Sequence, residues 1–309
     1  DSDLTNKKGL DKPTLSDTTI KTYTRAFDMM KDLMDGEEDM EWVQDLDSVL
    51  EHINSMNIGL SRKRTILSGI LTIITHKNLY PETQLKYKKA IQDLNKSDKE
   101  FSDTNQATTK QKENYVSYKD IEKMIKEMKI DLKHKENKEL HQQYLLFSLY
   151  SDIKRRNEFG TLIYILKADF DKLTNETIEK HNYLVLDGIY GRLIINHYKT
   201  KKIYSQVNIP IKVGMKNKLV RYIKKYEIQS GQNIFSDSRG GPLSTNTLTK
   251  LLQRGSQKYL KKNISTSMLF KIYCSDNFNN TKEKIAKVAV ARGTSPGVVL
   301  SSYTKNFKK

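Results

Sequence analysis

"SDIKRRNEFGTL", residues 151–162, separates two kinds of pattern. Before it, "KELHQQYLLFSLYS" (138–151) reads as a helix that is apolar on most of its surface. After it come "NYLVLD" (182–187), "GRLIINHYK" (191–199) and "IYSQVNIPI" (203–211). These are short, β-branched and aromatic, and are punctuated by Asp187-Gly188 and by the lysine-rich 199–202. A helix therefore feeds through an arginine-rich loop into a small sheet. Helical spacing returns at 216–228, 244–260, 265–278 and 281–291.

Working back toward the N-terminus, "SYKDIEKMIKEM" (117–128) is another helix, preceded by a polar stretch from 96 to 116 that reads as a linker. Residues 14–95 form a separate helical unit. It opens with Ser16 and Asp17 as capping residues and repeats apolar side chains at Ile20, Tyr23, Phe27 and Met30. "LDSVLEHINSM" (46–56) and "SRKRTILSGILTIITHKNL" (61–79) supply two more helices. Residues 1–13 read as a polar tail without signal-peptide character. The expected fold class is mainly α with a small antiparallel β-sheet, in two domains, 14–95 and 117–309.

The formal net charge is +17, and it is unevenly spread. Residues 1–95 hold 13 Lys and Arg against 16 Asp and Glu, a balance of −3. The rest holds 41 against 21, a balance of +20. An excess of that size points to a polyanion, nucleic acid first. Lysine-rich composition bias supplies part of it without explaining the asymmetry. Arg62, Lys63 and Arg64 cluster at a helix start, where they either meet phosphates or lie solvated. A single cysteine, Cys274, excludes an internal disulfide framework and a cysteine-based zinc site, which fits an intracellular setting. No apolar run approaches the roughly 20 residues that span a bilayer. No metal-ligand spacing and no glycine-rich phosphate loop is present, so no cofactor is expected.

The order of "SDIKRRNEFGTL", three strand-like segments with a lysine turn, and "GTSPGVVLSSY" (293–303) resembles the tyrosine recombinases, the phage-integrase family. The resemblance covers about 14–309 and is nearest to divergent members from large DNA viruses and mobile elements. It implies a helical (SAM-like) core-binding domain and an α/β catalytic-type domain that clamp double-stranded DNA. It also implies assembly as a dimer or tetramer. With six residues after Tyr303, the C-terminal helix that relatives exchange is expected to be short or missing.

The family's chemistry is attack of a tyrosine hydroxyl on a DNA phosphate, with arginines holding the phosphorane and a lysine protonating the leaving oxygen. By resemblance, Tyr303 is the nucleophile. Arg155 takes the first arginine position in Arg-x-x-Glu with Glu158, and Arg156 is the alternative one register away. Lys199 matches the proton donor, with Lys201 and Lys202 as rivals. The family's His-x-Leu-Arg-His segment is replaced. Leu269 keeps the leucine, Ser267 stands for histidine, and Phe270 falls where the second arginine belongs. A shift of one residue puts Lys271 there instead. Thr294 follows Gly293 where the family usually has histidine. Either Tyr303 works in a divergent site with Lys271 or Arg292 supplying charge, or the fold survives as an architectural or packaging DNA binder without cleavage. A metal-dependent nuclease is disfavoured by the absence of a carboxylate or histidine cluster, and an RNA partner is compatible with the charge.

Overall fold

The computed structural model describes residues 15–36, 40–103, 106–134, 137–278 and 282–304. The polar tail 1–13 lies outside them. Contacts divide the chain into two compact units between residues 104 and 105.

The first unit is helical: α1 (Asp17–Leu33), α2 (Leu46–Ser55), α3 (Leu60–His76) and α4 (Pro81–Asp103). Ser16 caps α1 by accepting the Thr19 amide, and Asp45 caps α2 by accepting that of Ser48. Along α1 the helical repeat buries Ile20, Ala26, Phe27 and Met30, leaving Tyr23 half-buried. Their apolar stripe meets Ile66, Leu67, Ile70 and Ile74 of α3. The two helices approach closely at Gly69, where a Cβ would stand 2.9 Å from the Tyr23 carbonyl oxygen. Helix α4 continues through the first part of the stretch that reads as a linker. Lys96, Lys99 and Glu100 are good helix formers, so polarity alone did not mark an end there.

The second unit begins with α5 (Thr109–Glu113), α6 (Tyr118–His134) and α7 (Lys138–Asp152). Leu140 and Gln142 through Tyr150 are buried, so α7 is the central helix of the unit, which is why its sequence is apolar nearly all round. Then come β1 (Leu162–Leu166), α8 (Lys167–Phe170), α9 (Asn175–Lys180), β2 (Asn182–Asp187), β3 (Tyr190–Ile195), α10 (Lys201–Tyr204) and β4 (Val207–Pro210). The strand order is β1-β2-β3-β4. The small sheet expected to be antiparallel is mixed. β1 pairs parallel to β2, and only β2–β3 and β3–β4 are antiparallel. The parallel pair arises because β1 reaches β2 through the helical crossover of α8 and α9, not through a hairpin. The segment beginning at Ile203 is a strand only from Val207, its first residues being spent on α10.

Helices α11 (Val213–Lys225), α12 (Thr245–Leu260), α13 (Thr266–Asn277), α14 (Lys282–Arg292) and α15 (Pro296–Val298) complete the unit. A π-helical turn, Val299–Tyr303, ends the described chain but for Thr304 and packs against α13 and α14. A satellite core joins Phe270, Cys274, Phe278, Ile285, Ala289 and Val299, with Tyr273 and Tyr303 against it. It fixes α13, α14 and the terminal turn as one block around the tyrosine.

Candidate phosphate-binding site

Arg155 leaves the C-terminal end of α7 and is 1% exposed. Its Nη1 donates to the Ala291 carbonyl oxygen at 3.1 Å. Its Nη2 lies 3.6 Å from Glu158 Oε1, too long for a good hydrogen bond. Nε and Nη2 have no hydrogen-bond partner among the described residues. The guanidinium lies 4.9 Å from the centre of the Tyr198 ring. Arg292, the last residue of α14, is 2% exposed and donates from Nη1 to the carbonyl oxygen of Arg155. Its Nε is also without a partner. Burial pulls the Arg292 guanidinium below its ordinary pKa, while Tyr303, Tyr150 and Glu158 hold it up. Buried donors left unpaired in this way are costly, so the pair is arranged for something other than stability.

Phe270 and Leu269 of α13 are buried and Ser267 is exposed. The Arg292 guanidinium stacks 4.7 Å from the centre of the Phe270 ring and 5.6 Å from that of Tyr303. A narrow cleft, with an internal cavity of only about 10 Å³, is lined by Tyr118, Tyr150, Lys154, Arg155, Phe270 and Arg292 among others. Tyr303, half-buried, borders this group through Phe270 and Arg292. Lys271 is half-buried on α13 and does not line the cavity.

The lysine turn is held from three sides. Buried Asn182, which starts β2, accepts the amides of Asn196 and His197 at 2.9 and 2.8 Å and donates to the His197 carbonyl oxygen at 3.0 Å. Asn196 donates to the carbonyl oxygens of Ile178 and His181. Tyr198 Oη donates across the turn to the Ser205 carbonyl oxygen, 2.6 Å away. Thr200 Oγ1 donates to the Gly293 carbonyl oxygen at 2.8 Å, tying the turn to the segment that leads to Tyr303. Gly293 has φ +69°, and a Cβ there would stand 2.8 Å from Thr200 Oγ1. Only glycine meets both demands without strain. Thr294 behind it is buried. Lys199 is exposed on this turn, and Lys201 reaches Glu179 at 3.5 Å. The Lys202 side chain lies outside the described residues.

Other basic residues singled out from the sequence lie elsewhere. Arg156 is half-buried with an unpartnered Nε. In the first unit Arg62 is exposed, Lys63 donates to Asn54, and Arg64 donates to Asn95 and Asp98.

Sequence reasoning missed Lys154. Its ammonium sits 4.1 Å from the centre of the Tyr273 ring and 5.4 Å from that of Tyr118, and donates to the carbonyl oxygens of Tyr150 and Ser151. Burial pushes its pKa down to about 8, with Asp152 opposing. The available signal was a lysine directly after the apolar α7, in the loop entering the site. Asn182 and Asn196 were missed as well, although an asparagine at each end of a strand-like run is a turn signal.

Among the described residues no group of three His, Cys, Asp or Glu side chains is placed to hold a metal, and no helix is long and apolar enough to cross a membrane.

No protein-family model and no curated protein sequence matches the chain. Solved structures do match. The XerH site-specific recombinase bound to palindromic difH substrate, in a post-cleavage complex, is 14% identical with a TM-score of 0.52, over 92% of this chain and 76% of that one. The Tn1549 transposon integrase with transposon right-end DNA is 12% identical, TM-score 0.43, over 94% and 96%. The XerA recombinase is 11% identical, TM-score 0.42, over 94% and 88%. At these identities the likeness concerns the fold. The chain is mostly helical, carries a small mixed four-stranded sheet, and has the fold of the tyrosine recombinases.

Proposed function

We propose that the chain cleaves and rejoins duplex DNA through a 3′-phosphotyrosyl intermediate on Tyr303. The observation that carries this reading is Arg155. It is 1% exposed, has two guanidinium nitrogens without a hydrogen-bond partner among the described residues, and is bonded to the backbone that leads into the Tyr303 segment. An anion with several acceptor oxygens would satisfy those donors. In the reaction, the Tyr303 oxygen forms a bond to phosphorus as the bond from phosphorus to the 5′ oxygen breaks. The tyrosine proton passes to solvent, and the 5′ oxygen takes a proton from Lys199. The charge of the diester is unchanged, and attack by a 5′ hydroxyl reverses the step. The energy of the broken bond stays in the covalent link, so rejoining needs no external source.

A second reading is an architectural DNA binder of the same fold without cleavage. Phe270 favours it, because a phenyl ring supplies no hydrogen bond to a phosphorane oxygen. Losing one such donor typically costs about 3–4 kcal/mol of transition-state stabilisation.

Both readings are tested with a pool of duplexes of randomised sequence, each nicked so that the fragment beyond the cut diffuses away. Covalent adducts surviving denaturation are counted for the natural chain and for Tyr303→Phe. Adducts that vanish with Tyr303→Phe support cleavage. Salt-sensitive duplex binding with no adduct supports the architectural reading.

A further inference from the structure

We infer that Arg292 is a catalytic residue that grips a non-bridging oxygen of the DNA phosphate, supplying from α14 the cation that α13 lacks at Phe270. This deepens the proposed cleavage reaction and rests on it, but the anion site it describes can be measured without cleavage.

Three observations carry the inference. First, the two arginines are interlocked. Arg155 donates to the backbone at Ala291, and Arg292 donates to the backbone at Arg155. Each guanidinium is held in place by the chain segment that carries the other, so two like charges stay side by side without an anion between them. Second, each keeps an unpartnered nitrogen although both are at least 98% buried. Third, the local charge is unbalanced. Arg155, Arg292 and Lys154 line the cavity, and Glu158 is the one carboxylate ion-paired to either arginine among the described residues. Asp152 adds a partial counter-charge near Lys154 and pairs with Lys212 instead. A buried excess of positive charge is unfavourable until an anion fills it.

Phe270 then has a positive role. Its ring lies under the Arg292 guanidinium at 4.7 Å, a stacking distance, and meets the Tyr303 ring edge-on. The aromatic face replaces water around a guanidinium that must stay dry and ready. A Phe–Arg pair across α13 and α14 carries the charge that an arginine on α13 would carry, from the opposite wall. Arg292 only donates hydrogen bonds, so the proton balance of the cleavage step is unchanged.

Two measurements on the full chain separate this inference from the cleavage reading. The first follows melting temperature with inorganic phosphate and with orthovanadate, a phosphorane mimic. Either anion should raise the melting temperature of the natural chain. Arg292→Met, which fills the space without charge, should melt at or above the natural chain in the absence of anion, because it removes an unpaired buried charge. It should also bind orthovanadate at least tenfold more weakly. Arg292→Lys keeps charge and should retain part of the response. If the methionine variant proves unstable, Arg292→Gln gives the same reading. An absent anion response, or one undiminished in both Arg292→Met and Arg292→Gln, overturns the inference.

The second measurement counts adducts on the nicked duplex pool. Arg292→Met should lower their yield about 100-fold or more. The exchange Phe270→Arg with Arg292→Phe should yield more than Arg292→Met alone. Undiminished adducts in a folded Arg292→Met overturn the role of Arg292 and leave cleavage standing. An anion response that depends on Arg292, with no adduct from the natural chain, keeps the anion site and removes the cleavage reading.

Discussion

The rings of Phe270 and Tyr303 meet edge to face, with centroids 4.9 Å apart and planes at 72°. The contact joins the middle of α13 to the terminal π-helical turn and sets where the Tyr303 hydroxyl stands. Phe270→Leu removes the ring edge and the face beneath Arg292, and is expected to cost about 1–3 kcal/mol in chemical denaturation. Phe270→Arg alone puts a second guanidinium against Arg292 and should melt lower still than Phe270→Leu. A Phe270→Arg variant more stable than the natural chain would mean that Arg292 is not where its charge matters.

Gly293→Ala should destabilise by about 1–3 kcal/mol, because alanine resists a positive φ and its methyl group meets Thr200 Oγ1. Thr200→Ala removes the bond to the Gly293 carbonyl oxygen and gives the new methyl group room. The double variant is therefore expected to be less unstable than the sum of the two singles. Strict additivity in a double-mutant cycle would contradict the contact.

Asn182→Leu removes a buried side chain whose carbonyl accepts two backbone amides at the end of β3. Leaving those amides unpaired should cost about 2–5 kcal/mol. Hydrogen exchange at Asn196 and His197 should accelerate by a larger factor than in β1. Equal acceleration across the sheet would mean that the asparagine holds the whole sheet and not the turn.

His141 is ringed by Tyr144, Tyr222 and Tyr226, and burial lowers its pKa to about 4, with Lys225 adding to the shift. The folded protein therefore binds this proton more weakly than the unfolded chain, whose histidine titrates near 6.5. Stability from this group is fully present above about pH 6.5 and is lost as pH falls toward 4. His141→Phe should flatten the dependence of denaturation midpoint on pH between 6.5 and 5. An unchanged slope would assign that dependence to other groups.

Duplex binding should weaken steeply with salt, given the +20 balance after residue 95. Each neutralised phosphate contributes about −0.9 to the log–log slope, so six to ten contacts lower affinity by about 10³–10⁵ between 50 and 200 mM salt. A slope near zero in fluorescence anisotropy would contradict phosphate-dominated binding.

Much of this architecture was legible because periodicity reports burial. The stripe of Ile20, Phe27 and Met30 and the apolar surround of α7 follow directly from what each helix must cover. The parallel pairing of β1 with β2 was not legible, because Leu162–Leu166 is only five residues and its partner is chosen by α8 and α9, not by its own pattern. At the site, the spacing from Gly293 to Tyr303 and the pair Arg155–Glu158 are local features that a string of residues displays. The place of Arg292 beside Phe270 is not local. It depends on α13 and α14 packing together, and periodicity does not report what two helices place in the gap between them. Lys154 was hidden for a similar reason, since its cage comes from Tyr118 on α6 and Tyr273 on α13.

The wide turn Val299–Tyr303 closes with the Thr304 amide on the Val299 carbonyl oxygen, five residues back. Such a turn holds one residue more than an α-helix places in the same ring. The chain between Ser295 and Tyr303 therefore works as a counting device. Removing one residue, Ser301 for example, lets the segment rewind as ordinary helix with little loss of hydrogen bonding. The shortened ring still holds the tyrosine one residue before its closure, near its present angle, whereas a residue deleted from α15, which has no surplus, turns it about 100° away from Phe270. The reach of the hydroxyl is thus encoded in the length of this segment as much as in the identity of its last residue.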